Sequence, residues 1–264
     1  MLTLAGLRAK PHTSISQLKT FVACPRKYFF HYIERVTPAF RALALVLGTA
    51  WHETIGVYLL GSRDQEPVPE ELQAHLRDGI VRGIDADGTP VLFEEAGQDT
   101  GAVVDQALKM LAVFLGRVPL PESVVGIEVP FSVDVAQSDT GEILPVPLIG
   151  GIDAIVMDAG RTVVLEFKTG RKKWGRDEIE FSPQMTAYKL GARGLGHGEV
   201  DLKLVLTTKT KVPDVQIEEL VRHPQDEREL AEVAFGVHRA VAAGVDFPMR
   251  SWACRTCPYA HVCG

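Results

Sequence analysis

Apolar residues recur at helical spacing in the first half of the chain and at alternate positions in the middle. This pattern alone divides the sequence into predicted helices and strands. Ser14 or Ser16 caps a first predicted helix, and Pro25 opens a second one. Residues 40–60 form a further apolar helix, and residues 61–118 are acidic and mostly helical.

The hydrophobic period shortens to two after Pro121, which predicts strands rather than helices. The predicted strands cover 124–135, 143–149, 150–157, 162–168 and 202–208. Two later helices are predicted, one beginning at Ser182-Pro183 and running to 190, and one over 226–243. This order indicates a single α/β domain over 1–264, a mixed central β-sheet flanked by helices. Segment 60–118 is expected to be a helical insertion within it.

The composition is that of an ordinary globular protein, with 46% hydrophobic and 23% charged residues in a chain of 264. It excludes disordered and collagen-like proteins. The longest apolar run near the start, 43–47, is far shorter than the ~20 residues of a membrane span, and the N-terminus lacks the features of a secretory signal. We therefore expect a cytoplasmic protein without a membrane span.

The net charge of −6 argues against a protein that coats nucleic acid through overall basicity. The charges are nevertheless segregated. Residues 61–100 carry ten acids and three bases, a balance of −7, whereas residues 161–176 carry six bases and one acid, a balance of +5. The basic segment, with Arg171, Lys172 and Lys173, is expected to bind an anionic partner; a solvated loop is the alternative.

The segment 150–170 holds the clearest candidate for chemistry. Strand alternation places Glu166 and Lys168 on one face. A two-residue turn at Ala159-Gly160 would place Asp153 opposite Glu166, with Cβ atoms about 4.5–5.5 Å apart. Two carboxylates among apolar neighbours cannot both stay charged and buried without a cation.

Oxygen ligands beside an ammonium group are typical of a Mg²⁺ or Mn²⁺ site for phosphate chemistry. In this interpretation Asp153 and Glu166 are catalytic metal ligands, and Lys168 is catalytic because its charge can steady the developing negative charge. The alternative is an ordinary ion pair at a sheet edge, which stabilises a fold little. Glu128, on the preceding strand, is either a further acid near the metal or a member of a structural pair.

These residues resemble a known family. The stretch GGIDAIV followed by LEFKTG is similar to the Asp and Glu-x-Lys motif of the PD-(D/E)XK nuclease superfamily. LGTAWHE and QMTAY narrow the resemblance to its RecB-like branch, because His52, Gln184 and Tyr188 match that branch's histidine and its Q-x-x-x-Y helix. The resemblance implies a restriction-endonuclease-like core in which His52 joins Asp153 and Glu166 as a metal ligand.

Each of the three matched side chains can also be interpreted without a functional role. His52 can instead be a histidine satisfied between two helices. Gln184 and Tyr188 are four residues apart on a helix and share one face, where they are expected to hydrogen-bond a phosphate or stack on a base of bound DNA. Otherwise they form a polar pair on the helix surface.

All four cysteines lie near the ends of the chain: Cys24, Cys254, Cys257 and Cys263. Thiols stay reduced in a protein without a secretory signal, so the cluster suggests metal rather than disulfides. The resemblance implies the iron–sulfur staple of RecB-like and AddB-like nucleases, in which four thiolates bind a [4Fe-4S] cluster. A zinc site, in which His261 could replace a cysteine, and a redox-active dithiol are the alternatives.

The resemblance further implies a Mg²⁺- or Mn²⁺-dependent DNA nuclease, an exonuclease that processes single-stranded ends. Similar stand-alone nucleases act in CRISPR adaptation, where they associate with the integrase, and in recombination and repair. The sequence has no Walker A motif, so any helicase motor would be a partner. A non-catalytic DNA-end-binding or assembly module and an RNA nuclease are the alternatives.

Overall fold

A computed structural model describes residues 2–61, 67–95 and 97–264. Residues 62–66 and 96, which belong to the predicted insertion, lie outside this description. The helices are α1 (Leu4–Arg8), α2 (Ile15–Ala23), α3 (Pro25–Tyr28), α4 (Leu43–Leu60), α5 (Pro69–Asp85), α6 (Thr100–Arg117), α7 (Arg176–Glu180), α8 (Pro183–Gly194) and α9 (Pro224–Ala242). The strands are β1 (Arg41–Ala42), β2 (Val91–Leu92), β3 (Ser123–Val133), β4 (Leu148–Asp158), β5 (Arg161–Gly170), β6 (Asp201–Thr208) and β7 (Val215–Leu220). A π-helical turn (Phe29–Ile33) continues α3, and short 3-10 turns cover Ala86–Gly88 and Trp252–Thr256.

The central sheet is mixed, with the strand order β3-β4-β5-β6-β7. The β5–β6 pair is parallel and the other neighbours are antiparallel. The β4–β5 hairpin turns at Ala159 and Gly160, both with positive φ, as a tight two-residue turn requires. Its register, from Ala154 opposite Leu165 to Asp158 opposite Arg161, confirms the predicted hairpin.

The predicted strands 143–149 and 150–157 are wrong as two separate elements. A single strand, β4, covers Leu148–Asp158, and Ile143 makes only an isolated bridge to Ala136. The reason is local: Pro145 and Pro147 lack the backbone N–H that a strand ladder needs.

Each face of the sheet carries its own apolar core. On one face α4 and α6 bury Trp51 and Phe114 against the sheet, and α5 packs Leu76 onto those two helices. On the other face α2, α8 and α9 bury side chains such as Met185 and Phe235. The helices of segment 60–118 therefore form one layer of the core. By length and composition α4 could cross a membrane, but 56% of it is buried inside the protein.

The ring of Phe131 on β3 is held between two glycines, Gly150 on β4 and Gly191 on α8. A Cβ at either position would lie 2.6 Å from an atom of that ring. The absent side chains let α8 approach the sheet closely, which sets the position of every residue that α8 directs at β4 and β5.

We expect Gly191→Ala to lower the free energy of unfolding by about 1–3 kcal/mol, because the methyl group overpacks this contact. Urea denaturation measures the effect. Gly236→Ala on α9 is the matched control: nothing lies within 4 Å of its new Cβ, so helix propensity should raise stability by up to about 1 kcal/mol. Wild-type stability in Gly191→Ala would contradict the close approach.

Candidate active site

Asp153 on β4 and Glu166 on β5 are buried side chains that face the same helix, α8. Their exposed fractions are only 7% and 1%. The Tyr188 hydroxyl donates to Asp153 Oδ1 at 2.9 Å, and Gln184 Nε2 donates to Glu166 Oε2 at 3.2 Å. The backbone N–H of Phe167 donates to Asp153 Oδ2 at 2.8 Å. The hairpin and α8 thus bring the two predicted acids to one place.

Lys168 and Gln184 complete a polar network around Glu166. The Lys168 ammonium forms an ion pair with Glu166 Oε1 and donates to Gln184 Oε1 at 3.0 Å. Gln184 Nε2 also donates to the Tyr188 hydroxyl at 3.1 Å. Glu166 Oε1 is buried and, among the described residues, has no hydrogen bond of good geometry besides that ionic contact. This oxygen can accept a further positive partner.

His52 reaches the two acids from α4, on the opposite layer. Its Nε2 lies 3.0 Å from the carbonyl oxygen of Phe167. A carbonyl only accepts hydrogen bonds, so Nε2 carries the hydrogen, and the neutral ring leaves the Nδ1 lone pair free. Nδ1 lies 3.6 Å from both Asp153 Oδ1 and Glu128 Oε1. A histidine fixed by a backbone carbonyl, with its other nitrogen aimed at carboxylates, is arranged as a metal ligand.

Glu128 joins this group through an irregularity in β3. The register against β4 shifts between Val124 and Gly126, and Glu128 has a left-handed backbone with φ 49°. Such a conformation is strained for a residue with a Cβ. Sequence reasoning left the role of Glu128 open. The signal that could have decided it is Gly126, because an isolated glycine inside a strand often marks a bulge.

His52, Glu128 and Asp153 each offer a ligand atom, and these three atoms lie within 4.8 Å of one another. One nitrogen and two carboxylate oxygens suit Mn²⁺ or Mg²⁺. The donor set and the unsatisfied oxygen of Glu166 therefore fit a divalent cation. Glu166 itself is engaged by Lys168 and Gln184, so Glu128 rather than Glu166 completes the compact group.

The electrostatics of the site favour a cation. Burial, together with the neighbouring Glu166, raises the pKa of Asp153 to about 8. Burial opposes the charged form of His52, but Glu128, Asp153 and Glu166 outweigh it and raise the pKa of that imidazole. Burial and the nearby carboxylates of Glu166 and Asp153 raise the pKa of Tyr188 well above its usual value. Without a cation, burial favours the protonated form of Asp153.

The ring of Tyr188 is not accessible for the base stacking that the sequence suggested, whereas its hydrogen bond to a phosphate stays a prediction. Its side chain is 3% exposed, and its ring packs edge-on against Phe131. It cannot stack on a base, because the ring is covered; its hydroxyl instead orients Asp153. Gln184 is half-buried and lines a groove beside the carboxylates, so it remains able to contact a bound strand.

The three cations of the basic segment each have an acidic neighbour. Arg171 contacts Glu94, Lys172 contacts Glu178 and Lys173 contacts Asp214. These pairs lie at the surface, where solvent screens them, and the binding of DNA by this segment stays a prediction. Glu94 comes from the acidic segment 61–100, which explains how two oppositely charged stretches of sequence coexist in one fold.

The four cysteines line one cavity of about 90 Å³, which the two ends of the chain enclose. All four are free thiols. The backbone N–H of Met249 lies 3.4 Å from the sulfur of Cys24, and that of Ser251 lies 3.4 Å from the sulfur of Cys254. Among the described residues, no three of the sulfurs lie within 4.8 Å of one another.

A groove of about 1050 Å³ runs from Asp153, Glu128 and Gln184 along the N-terminal segment. Its other walls carry aromatic and basic side chains from the first 35 residues of the chain: Arg8, Lys10, His12, Tyr28, His31, Tyr32 and Arg35. Asp153 and Glu128 therefore open onto a surface groove rather than a closed pocket.

A mixed sheet that presents an aspartate and a Glu-x-Lys triplet on neighbouring strands defines the class of restriction-endonuclease-like nucleases. The family model of the PD-(D/E)XK nuclease superfamily matches residues 12–264, and the chain belongs to that superfamily. Its members are nucleases that use divalent metal ions.

One solved structure shares the fold. A crystal structure of a Eubacterium rectale protein described as a candidate exonuclease matches 98% of this chain and 93% of its own, with 18% identity and a TM-score of 0.55. A second crystal structure, described as SSO0001, matches 83% of this chain and 94% of its own, with 16% identity and a TM-score of 0.38. A comparison with curated proteins finds no match.

The raised pKa values of Asp153 and His52 predict how the stability of the metal-free protein depends on pH. Both groups bind protons more tightly in the folded state than in the unfolded state. Their contribution to the free energy of unfolding therefore falls as the pH rises from about 4 to about 8. Urea denaturation at a series of pH values measures it.

Asp153→Asn is the control, because it removes the carboxyl group but keeps its shape. The variant should lose less stability over this pH range than the parent. A saturating divalent cation should stabilise the parent most at the upper end of the range, since the ligands bind metal only when ionised. A parent protein whose stability follows that of Asp153→Asn at every pH would contradict the raised pKa.

Proposed function

We propose that this protein is a metal-dependent deoxyribonuclease that shortens DNA from single-stranded ends. The observation that carries the proposal is the compact group of His52, Glu128 and Asp153, with Lys168 held beside it by Glu166 and Gln184. Glu128, Asp153 and Gln184 of this group also line a groove of about 1050 Å³, in which a polynucleotide would lie.

His52, Asp153 and Glu128 would hold Mg²⁺ or Mn²⁺, with Glu166 as a further acidic ligand. When bound, such an ion supplies Lewis-acid stabilisation of the scissile phosphate and makes a coordinated water easier to deprotonate. The protein's part is to fix its donors in advance: Tyr188 and the Phe167 N–H orient Asp153, and the Phe167 carbonyl selects the tautomer of His52.

In the proposed hydrolysis a water oxygen bonds to phosphorus while the bond from phosphorus to the leaving oxygen breaks. The water loses one proton and the leaving oxygen gains one, so the products are a phosphate monoester and a free hydroxyl. Lys168 is placed to neutralise negative charge that builds on the phosphate. Gln184 holds that ammonium through its side-chain oxygen.

A single strand is favoured because aromatic rings line the groove. Tyr32 and His31 lie along the groove beside the carboxylates. Rings of this kind stack on unpaired bases, which a duplex keeps within its own stack. We extend the proposal to end processing in the cytoplasm during CRISPR adaptation or repair, with an integrase or a helicase as partner.

We also propose that the four cysteines hold a [4Fe-4S] cluster that joins Cys24 to the C-terminal segment, as in the RecB-like branch. One cavity collects all four thiols, and backbone N–H groups lie beside two of the sulfurs. Such a cluster would stabilise the fold by joining the two ends of the chain, since its binding free energy adds to the free energy of folding.

End-labelled single-stranded DNA should be degraded in Mn²⁺ or Mg²⁺, and Lys168→Ala should slow cleavage by about 100-fold or more. Asp153→Ala should reduce it to background. Lys109→Ala, an exposed lysine of α6, is the control and should cleave like the parent. Equal rates in the parent, Lys168→Ala and Asp153→Ala would refute the proposal, and binding of DNA ends without turnover would favour the assembly module.

Protein purified without oxygen should be brown, absorb broadly near about 400 nm and contain iron bound through the four thiolates. Cys24→Ser should lose the colour and lower the thermal unfolding temperature, whereas Thr256→Ala, beside the same thiols, should keep both. A colourless active protein that contains one zinc ion per chain would overturn the iron–sulfur proposal.

A further inference from the structure

Two grooves of opposite character meet at the proposed metal site. We call the first, lined by Asp153, Gln184 and the N-terminal segment, the strand groove; its volume is about 1050 Å³. The second, which we call the apolar alcove, has a volume of about 700 Å³ and is lined by His52 and the outer face of α4. Glu128 lines both. A chain that crosses the carboxylates can therefore have one end in each groove.

The strand groove presents free positive charge. Arg8, Lys10 and Arg35 are exposed along it, and within the described part of the chain no acid lies at ion-pair distance from any of them. Arg171, Lys172 and Lys173, by contrast, each lie at ion-pair distance from an acid, although Arg171 shares Glu94 with Lys209. The phosphates of a bound strand would therefore be attracted to the strand groove, where each contact releases counterions.

The alcove has no such charge. Its lining in the described residues includes Leu45, Val57 and Leu60, with no lysine or arginine, and its charged members are Glu53 and Glu128. Leu45 and Leu60 are 68% and 69% exposed, although both are large apolar side chains. Such a wall repels a run of phosphates but suits the apolar face of one nucleobase.

We propose that a single DNA strand lies across the metal site with its retained part in the strand groove and its terminal base in the apolar alcove. This inference rests on the proposed nuclease function and deepens it. The unequal grooves favour release of short fragments, because the alcove can neutralise few phosphates. The protein would thus act from an end because only an end supplies a base without a following charged chain.

Gly48 provides a direct test of the alcove. It lies on α4 one turn before His52, and nothing is within 4 Å of a Cβ built on it, so a larger side chain enters the alcove without disturbing the core. Gly48→Leu should leave Mn²⁺ affinity unchanged but slow turnover at saturating DNA by about tenfold or more, since the terminal base is displaced. The shortest labelled products should disappear.

Gly236→Leu on α9 is the matched control, since a Cβ there also meets nothing within 4 Å and the residue lines neither groove. The double variant Arg8→Ala/Lys10→Ala tests the strand groove. Anisotropy of a labelled single-stranded oligonucleotide, with Ca²⁺ in place of Mn²⁺, should show about tenfold weaker binding. The slope of log affinity against log salt concentration should be smaller in magnitude by about 1.4 for the double variant than for the parent.

Wild-type turnover and product lengths in Gly48→Leu would overturn the alcove, and wild-type affinity in Arg8→Ala/Lys10→Ala would overturn the strand groove. Light scattering that shows a dimer in the parent and a monomer in Gly48→Leu would also overturn the alcove, because a second copy would then cover it. If the parent binds DNA without cutting it, the proposed nuclease function fails, whereas the binding measurement still judges the strand groove.

Discussion

Placing Asp153 and Glu166 side by side under a helix costs free energy, since two like charges leave water together and repel each other. The fold offsets this cost with aimed partners: the Phe167 N–H and the Tyr188 hydroxyl for one acid, and Lys168 for the other. The remaining deficit of positive charge is what a divalent cation would supply. Every other feature of the site follows from that deficit.

Elements from both faces of the sheet converge on this point. α4 brings His52 from one layer, and α8 brings the residues that orient the acids from the other. The left-handed backbone of Glu128 on the edge strand β3 brings in the third donor. Gly191 lets α8 lie close enough to the sheet for its hydrogen bonds to form. Strain and close packing are thus concentrated where the donors meet, as expected of a site built to hold a ligand.

Local chemistry made much of this predictable. The turn at Ala159-Gly160 set the hairpin register, and alternation placed Glu166 and Lys168 together. The features that the sequence did not indicate depend on distant contacts. They are the burial of Tyr188 beside Phe131 and the pairing of Arg171 with Glu94, which lies far away in sequence. The edge strand β7 and the short helices α1 and α7 were not predicted, because tertiary packing rather than a strong local pattern places such elements.

Whether a cation occupies the space between these donors decides what chemistry the site can perform. Anomalous diffraction from crystals soaked in Mn²⁺ measures this. We predict one strong peak within coordination distance of His52 Nδ1 and an oxygen of Asp153, with Glu128 or Glu166 also in reach. A protein saturated with Mn²⁺ that shows no peak there, with Tyr188 still bonded to Asp153 and His52 still bonded only to the Phe167 carbonyl, would contradict this prediction.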